Sequence, residues 1–341
     1  MKKITTKISI LVVLSLFLAA ALPYAALARS FDTIIAFGDS LTDHGGLQSY
    51  LGAYDPVNNP EGAPETWTNG DVWVDYLADD LSATLYNNAI GGAMTVGHVN
   101  DTIQGETDDG TLPPLGLVGQ VSRFDAEDVD FTAASTLFTI WIGGNDLLKF
   151  GRGESDAATS EDLITDAVDN VLNAMSELVT EEGALNIMVI NLPDLGKTPA
   201  YNSLTTEEIQ AVTNLTSAFN SALDQGINNF SNLFPDVTVI SFDVFTYLNQ
   251  IISGDTFADV TGTYMVLDEN GNPTGATNEP AEDYLFWDAI HPTTKAHEMV
   301  AEEVAKTLDD TEEDDGTISD PEEDNDDNGD SSSGCFIGTL K

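Results

Sequence analysis

Four short stretches of this 341-residue chain carry side chains able to do chemistry. The stretch "TIIAFGDSLTD", residues 33–43, is apolar up to Gly38 and then sets Asp39 and Ser40 at its exit. A hydroxyl so placed can be a nucleophile, and the same polar pair can simply shape a turn. "FWDAIHPT" sets Asp288 three residues before His291. In a loop, that spacing lets the carboxylate reach back to the ring, hold one tautomer and stabilise the imidazolium that forms. Phe286 and Trp287 can anchor the loop and Pro292 can stiffen its exit, although a helix start with incidental Asp and His fits the same spacing. "IWIGGNDLL" ends a strand at Ile142, turns on Gly143 and Gly144, and offers the side-chain amide of Asn145. That amide is either a donor for a developing oxyanion or a turn residue. "NNAIGGAMT" sets Gly91 and Gly92 after another strand, where a backbone N–H can stand clear of side chains or the glycines are structural.

These stretches need elements to hold them. Apolar, β-branched runs at 33–37, 84–87, 136–142, 186–190 and 237–242 lack alternation, as strands covered on both faces do. Helical spacing falls between them. In "GDVWVDYLADDL", Val72, Trp73, Tyr76, Leu77 and Leu81 share one face opposite Asp75, Asp79 and Asp80. Residues 160–182 repeat at helical period, with Ser160 placed to cap the start and Gly183 to end it. Further helices are expected over 206–230 and 293–308. Strand-helix alternation implies a parallel sheet with helices on both faces, an α/β fold. Ligands of such sheets bind beyond the carboxyl ends of the strands, which puts Ser40, Asn145 and Asp194 near one edge. Polar loops at 47–68, 97–114 and 251–283 can wall a pocket there, the last with a hairpin tip at Asn270-Gly271. Tyr50, Tyr54, Trp67 and Met94 suit contact with acyl chains or core packing equally.

Composition narrows the partners. Formal net charge is -47 with only 11 Lys plus Arg, which excludes nucleic acid and disfavours electrostatic docking to anionic membranes. Lys2, Lys3 and Lys7, the apolar run 8–22 and the small-x-small site Ala26-Leu27-Ala28 read as a signal peptide over 1–28, and hence as export to the medium or cell surface. The folded domain is expected over 29–308. Residues 309–341 are an acidic tail too polar to fold, ending in a segment with Cys335, the chain's one cysteine, so no disulfide within the chain is expected. His44, four residues after Ser40, is a weaker candidate base than His291, which brings its own carboxylate; His98 and His297 read as surface or packing residues.

The four blocks, in this order, resemble the GDSL family of lipases and esterases within the SGNH hydrolase superfamily. The matching residues are Ser40 in "FGDSL", Gly92 in "NNAIGGA", Asn145 in "GGND", and Asp288 with His291 in "DAIHP". "WTNGDVWVDYLA", "NLPDLGKTPAY" and "YLFWDAIHPTTKAH" resemble intervening family segments, so the likeness spans residues 31–308. It looks closest to secreted phospholipase, lecithinase or haemolysin-like acylhydrolases. The resemblance implies a three-layer α/β/α, flavodoxin-like fold with about five parallel strands. It also implies roles without metal or cofactor: Ser40 as nucleophile, His291 as base and acid, and Asp288 as the group orienting His291. The Ser40 and Gly92 N–H groups and the Asn145 amide would form the oxyanion hole. Asp39 is read as a residue shaping the turn.

Three functions follow as expectations: a secreted ester hydrolase on lipid or other acyl esters, with transient contact to a lipid surface; a sugar O-acyl esterase or acyltransferase with the same chemistry; and a surface protein that keeps the fold without catalysis. Acyl length and oligomeric state are not encoded legibly.

Overall fold

The computed structural model describes residues 30–49, 66–96, 115–127, 129–268 and 273–313. Five strands, β1 (Thr33–Gly38), β2 (Thr84–Asn87), β3 (Thr136–Trp141), β4 (Asn186–Ile190) and β5 (Thr238–Phe242), form one sheet in the order β2-β1-β3-β4-β5. Every pairing is parallel. β1, β3 and β4 carry the most continuous apolar runs and lie at the centre, where both faces are covered.

Alternate side chains of those strands feed two separate cores. Ile35, Phe37, Phe138, Ile140, Ile187 and Val189 point to one face, covered by α2 (Leu117–Glu127), α3 (Gly144–Gly151), α4 (Ser160–Thr180) and α5 (Thr206–Leu233). Ile34, Ala36, Leu137, Trp141, Met188 and Ile190 point to the other, covered by α1 (Trp73–Leu81), α6 (Val244–Ser253) and α7 (Thr294–Glu313). Three layers follow directly from a period of two along central strands that are apolar on both faces.

Several expectations change in detail. The cap of α4 is Thr159, one residue before Ser160; its hydroxyl accepts the Asp162 N–H at 3.1 Å. The helix ends at Thr180, and the Ala184 N–H bonds back to the Leu178 carbonyl beyond it. α1 buries Val74 and Ala78 beside Trp73 and Leu77, so its apolar stripe is rotated from the one expected. α7 runs to Glu313, five residues into the acidic run. Helices α2, α3 and α6 were not expected; each is short, and two follow directly on strand ends. The segment 251–283 carries β6 (Asp259–Thr263), β7 (Met265–Leu267) and β8 (Pro273–Thr277). β7 pairs antiparallel with β8 around the expected hairpin tip, which itself lies outside the described residues, and β6 pairs with β9 (Tyr284–Phe286). Among the described residues no helix is long and apolar enough to cross a membrane. The signal segment, the tail beyond residue 313 with Cys335, Tyr50, Tyr54, His98 and the loop 97–114 also lie outside the described residues.

Candidate active site

β1 hands its chain to a tight turn at the carboxyl edge of the sheet. The Thr42 and Asp43 N–H groups both donate to the Asp39 carbonyl, at 3.0 and 2.9 Å, and Ser40 sits inside that turn. Gln120 of α2 fixes the strand end just before it. Its carbonyl oxygen accepts the Gly38 N–H at 2.9 Å and its amide donates to the Gly38 carbonyl at 2.8 Å. Because Gln120 is fully buried, these bonds replace solvent that cannot reach the backbone there.

The closing block brings the imidazole across the sheet from 251 residues away. After β9 the chain doubles back, with the Trp287 N–H on the His291 carbonyl at 2.8 Å and the Thr293 N–H on that of Leu285 at 2.9 Å. Inside this loop Asp288 Oδ1 accepts the N–H groups of Ile290 and His291 at 2.8 and 2.7 Å. Oδ2 meets His291 Nδ1 at 2.8 Å, and His291 Nε2 meets Ser40 Oγ at 2.8 Å. The "WTNG" segment clamps the loop from outside: the Thr68 hydroxyl donates to the Pro292 carbonyl at 2.9 Å, and Asn69 Oδ1 accepts the Thr294 N–H at 2.9 Å. The Trp67 ring lies 5.4 Å from the His291 ring, centre to centre. Burial of Asp288 favours its protonated form, but the His291 charge and the hydrogen bonds from the His291 ring and the loop N–H groups outweigh it. The carboxyl is held below its ordinary range, ready to stabilise a protonated ring.

The donors come from the other two blocks. Gly91 touches Trp67 so closely that any Cβ would run into the indole. Gly143 starts α3 at φ 114°, a left-handed position, with Phe219 packed where a side chain would go. That entry directs Asn145 inward; its amide donates to the Ala93 carbonyl at 3.0 Å and lies 3.5 Å from Asp39 Oδ2. Two buried carboxylates stitch the loops together. Asp43 accepts the N–H groups of Gly45, Gly46 and Leu47 in its own turn and that of Gly91 across the gap. Asp146 accepts the Thr95 N–H and hydroxyl at 3.0 and 2.7 Å. Burial drives the Asp146 pKa up to about 6 against those bonds. Burial likewise raises Asp39 to about 7; the Leu41 N–H and the His291 charge pull it down, while Asp146 and Asp43 push it up.

Ser40, Gly92, Asn145 and His291 share the wall of one cavity of about 170 Å³, whose remaining lining is mainly aliphatic and aromatic. Asp194 lines it too, its carboxylate turned to the Gly196 N–H and the Thr213 hydroxyl. Thus the structure gathers Ser40, Gly92, Asn145, Asp288 and His291 at one edge: a hydroxyl, an imidazole with its carboxylate, and an amide. His44 is elsewhere. Its Nδ1 pairs with Asp75 at 2.7 Å and it faces a polar depression with Gln48, Asn87 and Asn88. His297 is buried rather than on the surface; its Nδ1 accepts the Trp73 N–H at 3.3 Å, and burial lowers its pKa to about 3. Met94 is buried in packing. Sequence reasoning missed Gln120, Asp43 and Asp146 as supports. Only the acids that close the "GGND" and "TIIAFGDSLTD" stretches, Asp146 and Asp43, were within reach of such reasoning; a lone Gln in a short helix gives no signal.

Comparison with known proteins adds a family. A family model described as "GDSL-like Lipase/Acylhydrolase" matches residues 34–304. The chain is 27% identical to a thermolabile hemolysin of Vibrio parahaemolyticus over 80% of its length, and spans 63% of the length of that relative. It is 27% identical to a phosphatidylcholine-sterol acyltransferase of Aeromonas hydrophila, covering 81% of this chain and 90% of the other. It is 26% identical to an acetylesterase of Hypocrea jecorina, covering 80% and 87% respectively.

Proposed function

The chain belongs to the GDSL-like lipase/acylhydrolase family, and from that premise we propose that it is an exported serine hydrolase of carboxylic esters. The observation that carries this reading is the continuous hydrogen-bonded line from Ser40 Oγ through the His291 ring to Asp288, with both links at 2.8 Å. In it, Ser40 attacks the ester carbonyl while His291 Nε2 takes its proton. Asp288 holds the ring in the tautomer that leaves Nε2 free to accept, and stabilises the imidazolium. The Ser40 and Gly92 N–H groups and the Asn145 amide receive the negative charge that develops on the carbonyl oxygen. His291 then protonates the departing alcohol, leaving Ser40 acylated. Water, deprotonated by the same ring, attacks the acyl-enzyme and restores Ser40.

Acyl esters of lipids are the substrate class favoured by the apolar cavity and by the likeness to a hemolysin and a phosphatidylcholine-sterol acyltransferase. The latter likeness also supports a second reading, in which an alcohol other than water takes the acyl group. The N-terminal basic and apolar segment supports export. Hydrolysis of a p-nitrophenyl ester by wild type and Ser40→Ala tests the core claim, together with labelling by a fluorophosphonate probe. Loss of both signals in the variant is expected. Equal hydrolysis by the two proteins removes Ser40 from the mechanism, and a wild-type Ser40 that resists the probe favours a non-catalytic surface protein.

A further inference from the structure

The cavity beside Ser40 has a direction. Ser40 follows β1, Trp141 ends β3 and Leu192 follows β4, and all three line it. The sheet order places β4 two strands from β1, roughly 10 Å at the usual strand spacing. The hollow therefore runs sideways across the top of the sheet, away from Ser40. α3 borders it on one face of the sheet through Leu148, and α6 on the opposite face through Leu248 and Ile252. Leu195 after β4 and Leu285 and Phe286 of β9 complete an aliphatic and aromatic lining. Two charged groups that share this lining are engaged with protein partners. Asp194 is hydrogen-bonded to Gly196 and Thr213, and Arg152 Nε pairs with Glu154 at 2.6 Å.

The chemistry at Ser40 decides which part of an ester can enter. The departing alcohol must end beside His291 Nε2 to be protonated, and the carbonyl oxygen must face the donors at Gly92 and Asn145. The remaining substituent of the carbonyl carbon is the acyl chain, and the apolar hollow is the space left for it.

We propose that this hollow is an acyl pocket, walled on the α6 side by Leu248 and Ile252, and that its small size makes the protein selective for medium-length aliphatic acyl groups over acetate and over long fatty acyl groups. The inference rests on the ester-hydrolase reading and sharpens it. Size sets the length. An apolar protein cavity of about 150 Å³ holds six carbons as benzene, and the 170 Å³ here also includes the space beside Ser40 and His291, so the hollow takes at most about six acyl carbons. A shorter chain leaves apolar wall unfilled, and a longer one must displace α6 or bend back into solvent.

The test is kcat/KM of the full chain on p-nitrophenyl acetate, butyrate, hexanoate, octanoate, dodecanoate and palmitate, with active sites counted by fluorophosphonate. A maximum at hexanoate is expected, about 10-fold or more above acetate. Leu248→Trp should lower the hexanoate-to-acetate ratio about 10-fold, and Ile252→Ala should raise the dodecanoate-to-hexanoate ratio. Ratios within one protein are insensitive to the folded fraction. Should Leu248→Trp yield no titratable sites, Ile252→Trp examines the same wall. An acetate maximum, a steady rise to palmitate, or variant profiles superimposed on that of wild type overturn the proposal. Activity that survives Ser40→Ala across the series overturns instead the hydrolase reading beneath it.

Discussion

Two histidines of this chain hold a carboxylate through Nδ1 at nearly the same distance. His291 meets Asp288 at 2.8 Å and His44 meets Asp75 at 2.7 Å. The pairs differ in everything around them. The His291 side chain is 12% exposed, its carboxylate is fixed by two loop N–H groups, and its far nitrogen meets a hydroxyl. The His44 side chain is 40% exposed and borders a polar depression; its carboxylate also accepts the Val72 N–H at the start of α1. A histidine and an acid in contact are thus a motif that the fold can use for catalysis or for tying a loop to a helix. What separates the uses is desolvation and a third partner, because an ion pair in water contributes little and a shielded one much more.

Four measurements would break or sharpen that contrast. His291→Ala should lower kcat/KM by about 10⁴-fold or more, since in the proposed cycle the ring accepts and returns every proton; a loss under tenfold would abolish the distinction between the two pairs. Asn145→Ala should lower kcat by about 10²–10³ with a smaller effect on KM, because in the proposed mechanism its amide acts on charge present only in the transition state. Asp39→Asn probes burial without a partner base. From its ordinary pKa up to about 7, folded Asp39 keeps a proton that the unfolded chain has lost, so stability falls as pH rises through that window. The variant should flatten this fall, with Tm at pH 8 raised by about 2–4 °C for each kcal/mol recovered, as thermal melts at pH 5 and pH 8 would show. His44→Gln should be the mildest. The Asp75 hydrogen bond raises the His44 pKa against its burial, so the pair stabilises the fold at acid pH and loses that contribution as pH rises through the raised value. The expected loss is about 0–1 kcal/mol at pH 6, none at pH 9, and under twofold in kcat/KM; a larger kinetic effect would join His44 to the site.

Much of the architecture was legible because its signals are local. The five main strands are continuous apolar runs, and α4 and α5 are long enough for their period to stand out. α3 and α6 escaped because each has 8 to 10 residues, and their apolar faces are set by what they pack against. The cap of α4 moved by one residue because Thr159 and Ser160 are both competent and only backbone geometry chooses between them. Of the two readings open for His297, surface or packing, the fold selects packing: the ring is buried beside Trp73 where α7 packs on α1.

By itself the sequence determined which chemical groups are present and that Ser40, Gly92 and Asn145 each follow a strand, since residue type and short-range pattern are written in the chain. Tertiary structure alone decided that Ser40 and His291, 251 residues apart, share a hydrogen bond, and that residues of α3, α6 and β9 wall the hollow next to them. The physical reason is range. Propensity and periodicity act over a few residues, whereas contact, shielding from water and the shape of a cavity depend on how whole layers pack.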